Sequence, residues 1–122
     1  MATPAERITA VPTGIDLARY VAVPDGGTLR SELGLPAEAP LVGTVAILRR
    51  KKGHAELLEA IPAVMARFPD AHFVFAGDGP QREALEALAR ELHIDERVLF
   101  AGNQPNVVPW LQAYDLFCLP SY

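Results

Sequence analysis

The run LVGTVAILRRKKGH, residues 41–54, decides how this chain folds. Residues 41–48 are apolar apart from Thr44, without the alternation of a sheet that keeps one face wet. A continuous apolar run of that length is the pattern of a strand covered on both faces. Four cations follow, Arg49, Arg50, Lys51 and Lys52, and Gly53 then opens a helical pattern. Leu57, Leu58, Ile61, Met65 and Phe68 recur at helical spacing and predict a helix over 54–68 with one apolar stripe. Pro62 lies inside it, removes the hydrogen bond to residue 58, and is expected to bend it.

The same unit repeats downstream. Residues 72–76 (HFVFA) read as a strand and Gly77-Asp78-Gly79-Pro80 as a turn, with Pro80 suited to the first position of the next helix. Leu85, Leu88 and Leu92 form that helix's stripe. A strand at 97–101, a short helix at 107–113 and a strand at 115–119, closed by Pro120, complete the series. Strands alternating with helices argue for an α/β fold, a doubly wound parallel sheet with right-handed crossovers. Upstream, residues 8–11 are β-like and closed by Pro12, 13–16 read as a turn and 18–27 as a loop. Thr28 is placed to cap a short helix reaching Leu33, stopped by Gly34 and Pro36. The chain thus divides into a leading strand, loop and short helix over 1–40 and a doubly wound α/β domain over 41–122.

Composition narrows the function. The 122 residues are half hydrophobic and 21% charged, which excludes a disordered chain and permits a real core. The formal charge of −4 argues against a general nucleic-acid binder while leaving room for a local basic pocket. The single cysteine excludes an internal disulfide and favours a reducing compartment. No apolar run is long enough to span a bilayer, and no basic-then-apolar leader is visible, so a cytoplasmic protein is expected.

Two strand-to-helix junctions carry the candidate chemistry. The first is 49–54: cations beside a helix N-terminus, whose free N–H groups and partial positive charge suit a diphosphate. A solvated basic loop is the plain alternative. The second is 77–80, whose glycines allow close approach of a ligand or of neighbouring backbone; a tight turn alone would also explain it. The dinucleotide fingerprint fails there, because Arg82 stands where its third glycine belongs. His54, His72 and His93 have no zinc-site spacing; His54 reads as a ligand contact or a solvated side chain, and His93 as the left-handed end of a helix. Cys118 and Trp110 read as packing residues, and Asp115 as a cap or a partner for a nearby loop. No nucleophile elbow, Walker loop or Asp-x-Asp metal motif is present.

In order, these pieces resemble a family. Val11-Pro12-Thr13-Gly14-Ile15-Asp16, Arg30 with Leu33-Gly34-Leu35-Pro36, Lys52-Gly53-His54 with Leu57-Leu58, and Phe68-Pro69-Asp70-Ala71 come first. The Gly-Asp-Gly-Pro turn, Val98-x-Phe100-x-Gly102 and Asp115-Leu116-Phe117-x-Leu119-Pro120-Ser121 follow. Together they are similar to the donor-binding half of retaining glycosyltransferases of the GT-B fold, the glycosyl transferases group 1 family. The resemblance implies a Rossmann-like domain that binds a nucleotide-sugar donor, with a separate acceptor domain preceding it. It implies glycosyl transfer with retention, no metal and no cofactor beyond the donor. Arg49, Lys52 and Gly53 would hold the donor diphosphate. Gly77, Asp78 and Gly79 would shape the floor near the nucleotide, and Ala101, Gly102, Asn103 and Gln104 would flank the base.

Departures from the family pattern are specific. The arginine expected near the end of the 41–48 strand is Ile47, and Arg49, two residues on, would keep the same facing on an extended chain. Thr13 replaces the usual asparagine and His93 the usual glycine. The family's Glu-x7-Glu segment would begin after Tyr122. The isolated chain is therefore expected to be inactive and to self-associate through exposed apolar surface, and the full-length protein could sit at the periphery of the inner membrane. The competing reading is a non-catalytic nucleotide-binding or chain-association module.

Overall fold

A computed structural model describes residues 27–122. The strand expected at 8–11, the turn at 13–16 and the loop that follows lie outside the described residues, apart from Gly27. Four strands, β1 (Leu41–Val45), β2 (His72–Ala76), β3 (Val98–Gly102) and β4 (Leu116–Phe117), form one parallel sheet in the order β3-β2-β1-β4. Among the described residues four α-helices accompany them: α1 (Gly27–Glu32), α2 (His54–Arg67), α3 (Arg82–Glu91) and α4 (Val108–Ala113). The chain steps outward from β1 to β3, then returns to the other side of β1 for β4. This is the doubly wound, Rossmann-like arrangement.

The alternation of β2 shows why the sheet needs cover on both sides. Phe73 and Phe75 join Leu58, Ile61, Leu85 and Ala89 beneath α2 and α3. Val74 joins Leu41, Trp110 and Ala113 on the opposite face, with Leu29, Leu33 and Leu35 packed behind them. Each fully buried aromatic or aliphatic side chain contributes about 1.5–3 kcal/mol of transfer free energy, so the continuous apolar run of β2 is stable only in this sandwich of helices.

Several element ends differ from the sequence reading. The first strand stops at Val45. Residues 46–48 leave the ladder yet stay beside β2's end, with the Ala46 amide donating to the Ala76 carbonyl (3.1 Å) and the Leu48 amide to that of Asp78 (2.9 Å). Leu48 is nevertheless fully buried, which is why the apolar run overshoots the strand. α1 begins at Gly27, so Thr28 lies within it and is not its cap. α2 runs uninterrupted through Pro62, which faces solvent. Phe68 falls just past its end and is half exposed. Pro80 precedes α3 by a full turn position: the Arg82 amide donates to the Gly79 carbonyl (3.2 Å), closing a β-turn with Pro80 at its second place. The last strand is reduced to Leu116–Phe117, both exposed at the sheet edge.

A candidate nucleotide site at the carboxyl ends of the strands

The ends of β1, β2 and β3 open into a cavity of about 520 Å³. Val45, Ala46 and Ile47 line one side of it, Ala76, Gly77 and Asp78 the floor, and Asn103, Gln104 and Val107 the other side. In open α/β sheets this is where ligands bind. The floor is tight. Gly77 has φ +137, and a Cβ there would fall 2.0 Å from the Ala46 carbonyl oxygen. Its amide donates across to the Gly102 carbonyl (2.7 Å), which links the β2 turn to the end of β3. The β2–β3 ladder slips by one residue at this level: Phe75 pairs with Phe100 but Ala76 with Gly102, leaving Ala101 as the extra residue. Gln104 is anchored by its own amide group, which donates to the Ala101 carbonyl (2.7 Å).

Asp78 is fully engaged. One carboxylate oxygen accepts from the Gly79 amide (2.8 Å) and the other from Arg82 Nη1 (3.1 Å). Arg82 also reaches Glu86 through Nε (2.8 Å) and the Phe100 carbonyl through Nη2 (3.3 Å).

The basic junction lies on the other side of Ile47. Arg49 and Arg50 line a second cavity of about 310 Å³ with His54, Glu56, Gln81 and Tyr122. The Arg49 amide donates to the Ile47 carbonyl (2.8 Å), a tight turn rather than extended chain. Ile47 and Arg49 therefore do not share a facing, contrary to the expectation for a continuing strand: Ile47, 52% exposed, lines the first cavity and Arg49 the second. Gly53 adopts φ +73, where glycine is favoured, and lies under Pro120, whose carbonyl oxygen would be 2.0 Å from any Cβ. Its amide already donates to the Arg50 carbonyl (3.2 Å). The segment after β4 straps this junction: the Tyr122 amide donates to the Lys51 carbonyl (3.0 Å) and its hydroxyl to Glu56 (2.8 Å).

His54 is neither solvated nor in contact with a polar partner. It is 2% exposed, both ring nitrogens lack a hydrogen bond, and the ring packs on Phe75 with centroids 5.1 Å apart. Burial, and secondarily the Lys52 charge, hold its pKa below the usual histidine value, so it packs as a neutral aromatic at the start of α2.

Of the expected residues, Gly77, Asp78, Asn103 and Gln104 line the first cavity, and Arg49 the second. Lys52, Gly53, Gly79, Ala101 and Gly102 line neither, although Gly79 and Gly102 build the turns that do. Val107, Arg82 and Tyr122 were missed. Arg82 stood in view as the residue that breaks the glycine fingerprint, and only its partners across the turn give it a role. Among the described residues no group of three His, Cys, Asp or Glu side chains converges as a metal site. Among them, too, no helix is long and apolar enough to cross a membrane.

The sequence from residue 26 to 122 matches the family description Glycosyl transferases group 1. The chain is 38% identical over 92 residues to the lipopolysaccharide core biosynthesis glycosyltransferase LpsE of Rhizobium meliloti, covering 75% of this chain and 26% of that protein. It is 37% identical over 126 residues to the D-inositol 3-phosphate glycosyltransferase of Nocardia farcinica, covering 96% and 28%. Its fold superimposes on the crystal structure of Anabaena HepE in complex with UDP and glucose with a TM-score of 0.78 at 26% identity, over 97% of this chain and 33% of that one. The chain thus spans between a quarter and a third of the length of these proteins.

Proposed function

Because the chain belongs to the glycosyl transferases group 1 family, we propose that residues 41–122 are the portion of a retaining glycosyltransferase that binds the nucleotide-sugar donor, with residues 1–40 leading into it. The observation that carries this reading is the cavity at the carboxyl ends of β1–β3, with the basic turn that follows β1 at 49–52 lining a second cavity through Arg49 and Arg50. The HepE structure, similar over nearly the whole chain, holds UDP and glucose.

In this reading the nucleoside rests between Gly77–Asp78 and Asn103–Gln104, and the diphosphate extends toward Lys52 and Arg49. Positive charge fixed before the reaction stabilises the negative charge that grows on the diphosphate as the glycosyl bond breaks, without a metal. The acceptor is held by a separate domain, and the 122-residue chain alone binds donor without transferring the sugar. The full-length protein works in the cytoplasm, in glycan biosynthesis, at the periphery of the inner membrane. Lys52→Ala is expected to weaken binding of a nucleoside diphosphate by about 1.5–3 kcal/mol, the scale of a charge-assisted hydrogen bond. Calorimetry with UDP and GDP tests this, and unchanged affinity for both would remove Lys52 from the site.

The second reading, chain association, is favoured by the edge strand. Leu116, Phe117 and, just past the strand, Leu119 are exposed, and β4 is an edge strand among the described residues; apolar side chains at such an edge promote pairing. Concentration-dependent sedimentation is expected; a monodisperse monomer at high concentration would exclude it.

A further inference from the structure

We propose that Arg82 is a positioning residue that keeps the strand-end cavity receptive to an anionic ligand, by neutralising the Asp78 carboxylate on its wall and tying that wall to the end of β3. The proposal rests on the nucleotide reading of the cavity. Asp78 lines the cavity and its side chain is 53% exposed. A free carboxylate in that place would repel phosphates. Arg82 does not line the cavity itself; its guanidinium meets Asp78 from behind (3.1 Å). A second nitrogen of the same group holds the Phe100 carbonyl (3.3 Å), two residues before Gly102. Nη1 also lies 3.4 Å from where a Gly102 Cβ would be, so the guanidinium lies close over the glycine from which the Asn103–Gln104 wall departs. Glu86 fixes its orientation through Nε (2.8 Å). One planar cation therefore sets both the charge and the spacing of opposite walls. Arginine suits this place better than lysine, because its donors diverge in a fixed fork.

The charge logic gives an ordered test in the full 122-residue chain. With Glu86 counted, the wild-type cluster carries one net negative charge, Arg82→Gln leaves two carboxylates without a cation, Asp78→Asn leaves Arg82 paired with Glu86 alone, and the double variant returns to one net negative charge. In calorimetry, R82Q is expected to weaken UDP about three- to tenfold and D78N to tighten it modestly, with the double variant within about twofold of wild type. Uridine, which carries no phosphate, should change less than about twofold in R82Q, and the UDP differences should shrink at high salt. The proposal is overturned if R82Q binds UDP as wild type does. It is equally overturned if R82Q loses UDP and uridine alike and D78N fails to restore the former, which is the signature of a purely structural role. Should R82Q not fold, D78N decides alone: weaker UDP binding would overturn the proposal. Wild-type protein that binds none of UDP, GDP and ADP would overturn the nucleotide reading, and this one with it.

Discussion

Two arginines hold the two ends of this molecule, and they do so differently. Arg30 sits at the amino-terminal end of the sheet with its side chain only 11% exposed. It donates to the Ala113 carbonyl from Nε and Nη2 (3.2 and 2.9 Å), to Ala39 (2.8 Å) and Ala37 (3.1 Å) from Nη1, and to Asp115 (2.8 Å). Asp115 in turn accepts the Leu41 amide that begins β1 (2.8 Å). α1, the loop into β1, the end of α4 and the start of β4 all converge on one guanidinium. Arg82, at the carboxyl-terminal end, is three times as exposed at 35% and bridges only a turn, its own helix and one strand end. The first arrangement turns its polar groups inward and closes. The second leaves a concave space beside them. Stability and binding are divided between the two ends of the strands.

Deleting each guanidinium separates these roles. Arg30→Ala leaves several carbonyls short of donors at a nearly buried site, and is expected to cost about 2–4 kcal/mol, measurable by denaturant unfolding with an unchanged slope. R82Q should lower Tm far less, because exposed ion pairs contribute little, while producing the larger change in UDP affinity. If R30A proves as harmless to stability as R82Q, the contrast fails. A smaller effect is expected with pH. The Leu41 amide first, and then Arg30, hold the Asp115 carboxyl below the ordinary aspartate range. A depressed carboxyl contributes stability that is present above its unfolded pKa and is lost as pH falls through its folded pKa. Stability should therefore decline on acidification below about pH 4, near the ordinary aspartate value, and that decline should be shallower in Asp115→Asn. Urea titrations across that range check it.

The sequence was most legible where periodicity governs. β2, α2 and the alternation of strand and helix follow from apolar spacing alone, because each element must bury a definite face. It was less legible where burial and secondary structure part company. Leu48 is as buried as any strand residue but lies in a turn, so an apolar run cannot locate the strand's end. The same limit hid the bend at Ile47–Arg49, and with it the separation of the two side chains into different cavities. His54 shows another gap. A histidine beside four cations reads as solvated, yet its ring packs on Phe75 under residues distant in sequence. His93, by contrast, could be read locally: it adopts φ +59 just past α3, the left-handed conformation its place at a helix end required. Of the site, the glycine turn and residues 103–104 were visible as strand-end loops. Arg82 was not, because its function depends on Asp78, Glu86 and Phe100 together.

The slipped ladder at Ala101 has one more consequence. Adding a residue to one strand alone reverses, relative to its neighbour, which side each later position faces. Asn103 and Gln104 thus owe their aim to a count of positions as much as to their own chemistry. Substituting a side chain along this rim leaves its register in place, whereas lengthening or shortening it by one would rotate the whole rim out of alignment.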